Sequence, residues 1–269
     1  MNNESIPTKH LPNLRHLEIH VTYRCNMHPP CRHCSNLVQQ APSNEIMPVE
    51  RIAWLLRESV RLHWPWEWLV LHGGEPTLHP RFEDICRLLA DYREDHNVKV
   101  KLALCTNGVG DKVLAGIEIA RRHGIFIENS HKKPGDQFPR HVPISYSPTD
   151  LGEYYHLGCF ESSRDGIAFN NQGFYACSPA AAAHRLFGYQ PLATTLSQVT
   201  VERLAGGFQQ HCQHCGYARK LWVLGDSNAE PGTFRRRLWE FTMLLASRPH
   251  APMTKTWKTA CMAYKERKK

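Results

Sequence analysis

The sequence predicts an α/β fold, a series of parallel βα units followed by a smaller hairpin-and-helix segment. Three observations predict it. Strand-like and helix-like periodicities alternate through roughly the first 150 residues, each segment that carries chemistry follows a strand, and the texture changes after about residue 157.

The elements follow in order. Residues 15–22, RHLEIHVT, alternate as a half-buried strand should and run directly towards Cys25. Residues 49–63 repeat apolar side chains at helical spacing in Ile52, Leu55, Leu56 and Val60. WEWLVLHGGEP is an apolar run ending in Gly73-Gly74, a buried strand and its loop. FEDICRLLADYRED (82–95) reads as a second helix and VKVKLALCTNG (98–108) as a strand with its turn. DKVLAGIEIARRHG (111–124) is a third helix, closed by a glycine that tolerates the left-handed conformation of a helix end. GIFIENS (124–130) and HVPISYSP (141–148) are further short strands. In parallel βα folds the functional loops lie at the carboxyl ends of the strands, so Cys25–Cys34, His72–Pro76 and Thr106–Gly108 should converge on one rim. Beyond them, GIAFNNQGFYAC (166–177) reads as a hairpin turning at Asn170–Gly173, and TFRRRLWEFTMLLAS (233–247) as a terminal helix.

With 269 residues, 42% of them hydrophobic and 22% charged, the chain suits one sizeable domain plus a small appendage. No signal-peptide pattern or long apolar span is present, so a soluble, cytoplasmic protein is expected, with no membrane partner. Ten cysteines in a reducing compartment then point to metal or catalysis instead of disulfides. The net charge of +8 does not by itself argue for nucleic acid.

Cys25, Cys31 and Cys34 offer three thiolates on one loop, which can hold a [4Fe–4S] cluster and leave one iron open to a small-molecule ligand. His28 makes a closed zinc site of the form C-x2-H-x2-C-x2-C a real competitor. Cys159, Cys177, Cys212 and Cys215 form a second set, able to close around zinc or a cluster, with His211 and His214 as secondary candidates. Cys86 and Cys105 read as small core residues, and Trp64, Trp66 and Trp68 as packing at a helix-to-strand turn.

The ordered combination of strand, cysteine triplet, helix, strand, Gly73-Gly74-Glu75-Pro76, helix, strand and Thr106-Asn107-Gly108 resembles the radical S-adenosylmethionine (SAM) family over roughly residues 14–150. One departure stands out: five residues separate Cys25 from Cys31, where the family's usual triplet has three. The resemblance implies a partial (truncated) (β/α) barrel, a [4Fe–4S] cluster on Cys25, Cys31 and Cys34, and SAM chelated by its unique iron. It implies that Gly73, Gly74 and Glu75 meet the methionine amino group, that Asn129 and Ser130 contact ribose and carboxylate, and that His33, Val142 and Ile144 border the adenine. The second cysteine set is similar to the twitch module of radical SAM dehydrogenases, which implies an auxiliary [4Fe–4S] cluster. The expected division is a barrel over 1–157, a twitch-like β-hairpin/helix module over 158–220 and a basic helical segment over 221–269.

The expected reaction is a two-electron oxidation of a small molecule or peptide residue by hydrogen abstraction. The short stretch before the first strand mildly favours a small molecule. Redox-neutral radical chemistry, such as epimerisation or peptide crosslinking, and a zinc-stabilised binding protein are the rivals. Arg235–Arg237 and the KERKK end read as a solvated basic face, or as a docking site for an acidic flavodoxin- or ferredoxin-type electron donor.

Overall fold

The computed structural model describes residues 10–28, 34–38, 41, 43–129, 157–159, 161–212 and 215. Four parallel strands, β1 (His16–Thr22), β2 (Trp68–Gly73), β3 (Lys101–Thr106) and β4 (Phe126–Asn129), alternate with α1 (Val49–Arg61), α2 (Phe82–Asp95) and α3 (Asp111–Arg122). The hairpin β5 (Ile167–Phe169) and β6 (Phe174–Tyr175) follows, then α4 (Ser178–Phe187), α5 (Val201–Gly206) and α6 (Phe208–Cys212). The strand order is β4-β3-β2-β1-β5-β6, a mostly parallel sheet of the α/β class that fits a partial barrel.

The alternation expected of β1 decides which face is dry. Leu17, Ile19 and Val21 are fully buried, together with Leu69, Leu71, Leu102 and Leu104 from the neighbouring strands. They pack on Ile52 and Leu55 of α1, Ile85 and Leu89 of α2, and Val113 and Ile117 of α3. A parallel sheet flanked by crossover helices buries one apolar side chain every second residue on that face. The intervening residues His16, Glu18, His20, Trp68, Val70 and His72 therefore stand on the opposite, inner face, in register as His16↔Trp68, Glu18↔Val70 and His20↔His72. α4 lies against β1, β5 and β6, with Ala168, Tyr175, Ala180 and Ala181 in a second apolar cluster.

Local signals explain the ends. Asp111 opens α3 and Arg121-Arg122 close it, each suited to the helix dipole, and Gly124 takes φ +64° beyond its end, as expected from its position. α4 has Pro179 in its first turn and ends on Gly188 in the left-handed region at φ 73°. The expected strand over 98–108 is shorter, because Val98–Val100 lie before the register with β2 begins at Trp68↔Lys101. The hairpin does not stand apart from the barrel: β5 pairs in parallel with β1 as Leu17↔Ile167, Glu18↔Ala168 and Ile19↔Phe169. β5 and β6 thus extend the same sheet beyond β1. The strand expected at 141–148 and the helix expected at 233–247 lie outside the described residues.

Candidate functional site

The loops after β1, β2 and β3 meet at one rim, and backbone hydrogen bonds stitch them together. Gly74 N–H donates to Thr22 O at 2.8 Å and Glu75 N–H to Arg24 O at 2.7 Å. Asn107 Nδ2 donates to Asn26 Oδ1 at 2.8 Å, and Asn26 Nδ2 to Val109 O at 2.6 Å. The two glycines are required by this crossing. A Cβ on Gly73 would stand 2.2 Å from Thr22 O, and one on Gly74 2.2 Å from Arg24 O. Gly73 also has φ +121°, a conformation L side chains rarely adopt. Chain-to-chain approach thus explains both glycines without reference to a ligand.

Glu75 is fully buried, and its carboxylate is engaged from several sides. It accepts from Thr77 N–H at 3.3 Å, Thr77 Oγ1 at 2.8 Å and Asn107 N–H at 2.8 Å, while Thr106 Oγ1 lies 3.0 Å from both oxygens. These are the donors a buried carboxylate needs in the absence of water. The side chain therefore acts as a joint between the GGEP and TNG loops.

Cys25 and Cys34 are half-buried, and Asn107 Nδ2 at the rim stands 3.8 Å from Cys25 Sγ, within reach of a thiolate acceptor. Asn129 ends β4, in register with Thr106, and its side chain lies where a Cβ on Gly108 would collide at 2.2 Å. Cys31, His33, Ser130, Val142, Ile144 and His214 lie outside the described residues. His28 is exposed. With Cys25 at the rim, the three thiols of the first loop are a donor set that fits a cluster.

The loop after Cys34 is gripped from α4. Arg185, 6% exposed, donates to the carbonyls of Asn36 and Ala41 and to Ala182 O at 3.3 Å. Its guanidinium lies 3.7 Å over the ring of Tyr23. Sequence reasoning missed this residue, because nothing local marks an arginine that reaches 149 positions back.

The second cysteine set converges. Cys159, Cys177, Cys212 and Cys215 are all buried and form no disulfide. Burial pushes the thiols of Cys159, Cys177 and Cys212 upward in pKa, and each is raised further by other members of the set, so that every pair among the four interacts. Four thiols so placed fit a closed metal or cluster site, since binding would deprotonate them and remove that cost. His211 is not free to join them: it is 1% exposed, Nδ1 accepts from Ala176 N–H at 3.4 Å, and Nε2 donates to Gln190 O at 3.2 Å. Burial holds its pKa down to about 4.

Of the remaining candidates, Cys86 is a core residue, fully buried and pushed up to about 12. Cys105 is not. It is partly exposed on the inner face, where its thiol donates to Glu128 Oε2 at 3.2 Å. The expectation failed because the strand's alternation puts Leu104 on the helix side and Cys105 opposite. Trp64 and Trp66 do pack at the turn, their indole N–H groups donating to Leu14 O at 3.0 Å and Ser59 Oγ at 2.8 Å. Trp68 instead stands on the inner face.

That inner face is polar, which sequence reasoning also missed. His20, 2% exposed, bonds Tyr23 Oη through Nδ1 at 3.0 Å and Ser178 Oγ through Nε2 at 2.7 Å, and Ser178 Oγ is 3.2 Å from His72 Nδ1. Donor atoms of Glu18, His20 and His72 lie within 4.8 Å of one another. Burial, then the nearby Asp165, pushes the Glu18 carboxyl well above the usual range. A cavity of about 170 Å³ opens beside it, bordered by His16, Trp68, Phe126, Glu128 and Asp165. The signal was present in the alternation of RHLEIHVT, whose second set of residues is His, Glu and His instead of solvent-facing lysines.

Comparison with known proteins agrees with this geometry. Residues 19–125 match the model of the radical SAM superfamily. Two GTP 3′,8-cyclases of Corynebacterium glutamicum, the second from strain R, are 33% identical over 109 residues and 34% identical over 121. Each match covers 39% of this chain and 28% of the cyclase, so the chain spans under a third of these relatives' length. The crystal structure of BtrN in complex with AdoMet and 2-DOIA superposes with a TM-score of 0.51 at 13% identity, over 76% of this chain and 93% of BtrN. That likeness concerns the fold. Among the described residues, no helix is long and apolar enough to cross a membrane.

Proposed function

From a chain that carries a radical SAM domain in residues 19–125, we propose an enzyme that cleaves S-adenosylmethionine and oxidises a small molecule or peptide residue by two electrons. The observation that carries the reading is the single rim on which Cys25, Gly73–Glu75 and Thr106–Gly108 meet, joined through the carboxylate of Glu75. Cys25, Cys31 and Cys34 would hold the [4Fe–4S] cluster, with SAM against the rim residues and, in the roles the family implies, His33, Asn129, Ser130, Val142 and Ile144. The group supplies a 5′-deoxyadenosyl radical that takes a hydrogen atom from substrate. The protein supplies orientation and exclusion of side reactions.

Cys159, Cys177, Cys212 and Cys215 would hold an auxiliary [4Fe–4S] cluster in a twitch-like module over 158–220, with the basic segment 221–269 beyond it. The burial of the four thiols and their interaction in every pairing support one closed site on these residues. A low-potential donor of the flavodoxin or ferredoxin class would reduce the first cluster.

The cyclase relatives favour a second reading, radical ring closure or rearrangement without net oxidation. Their likeness covers 39% of this chain, so it does not carry their reaction over to it. Anaerobic incubation of reconstituted protein with SAM and dithionite tests the proposal. Formation of 5′-deoxyadenosine is expected; its absence, with zinc in place of iron, would leave a zinc-stabilised binding protein.

A further inference from the structure

One backbone residue at the rim settles how two side-chain amides face. The Val109 carbonyl can only accept, and Asn26 Nδ2 donates to it at 2.6 Å, so Asn26 Oδ1 is left as an acceptor on the other side. The Val109 N–H can only donate, and Asn107 Oδ1 accepts it at 2.8 Å. The nitrogen of Asn107 is therefore the atom turned towards the first loop. Flipping either amide would set acceptor against acceptor or donor against donor.

An amide nitrogen carries two protons. One proton on Asn107 Nδ2 goes to Asn26 Oδ1 at 2.8 Å. The other contact of that nitrogen is Cys25 Sγ at 3.8 Å. A neutral thiol is a weak acceptor, whereas a thiolate, the form in which cysteine holds iron, accepts a charge-assisted bond. Asn107 is 3% exposed, and its backbone N–H is fixed on Glu75 Oε2 at 2.8 Å. The amide is thus anchored through its backbone, its oxygen and one proton, with the remaining proton on the first cysteine of the triplet.

An amide so placed could serve only to tie the third loop to the first. Other bonds already tie the rim: Asn26 holds Val109 O, Gly74 N–H holds Thr22 O and Glu75 N–H holds Arg24 O. The contact with sulfur adds what none of these supplies, a buried dipole pointed at a ligand of a redox centre.

We propose that Asn107 is a positioning residue for electron entry: its Nδ2–H donates to the Cys25 thiolate and raises the reduction potential of the first cluster. The assignment rests on the cluster put forward above for Cys25, Cys31 and Cys34. Reduction adds one electron, supplied by a donor of the flavodoxin or ferredoxin class, and part of that charge falls on the sulfurs. A hydrogen bond to sulfur stabilises the reduced form more than the oxidised one, and burial keeps water from screening it. No bond to Asn107 is made or broken. The donor then needs a less negative potential to start SAM cleavage.

The test titrates reconstituted protein against potential and follows the reduced cluster by electron paramagnetic resonance. The first cluster's signal is the one that changes when SAM is added, which separates it from a cluster on the second cysteine set. Asn107→Ala should lower the reduced-to-oxidised ratio at a fixed potential about tenfold, a shift of about 59 mV to more negative values for a one-electron couple. Asn107→Asp keeps the shape and the acceptor for Val109 N–H but puts an oxygen where the donor stood, so it should shift at least as far in the same direction. It carries the test should Asn107→Ala fail to fold. Asn26→Ala breaks the same loop-to-loop bond and leaves the contact with Cys25, so its ratio should stay within about twofold of the parent. Unshifted potentials in the Asn107 variants, or an equal shift in Asn26→Ala, would overturn the proposal and leave Asn107 a clamp. A parent without a SAM-sensitive signal would overturn the first cluster and this assignment together; a SAM-sensitive signal indifferent to Asn107 would remove the assignment alone.

Discussion

Thr106 Oγ1 lies 3.0 Å from each carboxylate oxygen of Glu75, so one hydroxyl spans the junction between the second and third motif loops. Glu75→Ala would strip acceptors from Thr77, Thr106 and Asn107 at once. Stranding buried donors costs about 1–3 kcal/mol for each group that water does not reach. We expect Glu75→Ala to lose at least about 2 kcal/mol of stability by denaturant titration, and SAM-cleaving activity with it. A variant as stable as the parent would show that the carboxylate is not a joint.

Arg185 should behave in the same way from the other side of the site. Arg185→Leu removes the donors to Asn36 and Ala41 carbonyls and the cation over Tyr23, while keeping an apolar stem. The expected result is weaker retention of the first cluster, read as iron lost on gel filtration, with helix content by circular dichroism unchanged. Arg185→Lys should rescue little, since an ammonium cannot reproduce the fork.

His28 separates the two metal readings of the first loop. It is exposed, and a cluster on three thiolates has no use for it. His28→Ala should keep iron content and 5′-deoxyadenosine formation within about twofold, whereas a zinc site built on it would lose a ligand and most of its affinity.

The depressed pKa of His20 has a signed consequence. Folded His20 stays neutral, while the unfolded chain takes up a proton below about pH 6.5. Stability from this group is therefore present above pH 6.5 and is lost as pH falls towards the folded value. Urea titrations between pH 7 and 5 should show a slope that His20→Asn makes shallower by up to about 1.4 kcal/mol per pH unit. An unchanged slope would mean His20 is protonated in the fold.

Much of the architecture was legible because apolar periodicity is local. The helix at 82–95 and the strand starting near Leu17 follow from spacing alone, and Gly124 marks a helix end by its own backbone freedom. The motif order was equally plain, since its residues sit in short loops after strands. What escaped depends on partners far away in sequence. Ser178 meets His20 across 158 positions, and Arg185 meets Asn36 across 149, so neither has a local signature. Cys105 was misjudged as core because a strand's alternation shows that two faces exist without showing which one the helices cover.

Two iron–sulfur clusters on two separate cysteine sets are what we propose for this chain. Iron and acid-labile sulfide in anaerobically purified protein test it most directly, alongside Cys25/Cys31/Cys34→Ala and Cys159/Cys177/Cys212/Cys215→Ala. About eight irons are expected in the parent and about four in each variant, because each set of thiolates would hold one cluster. The first variant should form no 5′-deoxyadenosine, and the second should still release some while substrate oxidation collapses. Circular dichroism must show each variant folded, since metal binding can be part of the fold's stability. Zinc without sulfide, or a triple variant that keeps all the parent's iron, would contradict the account.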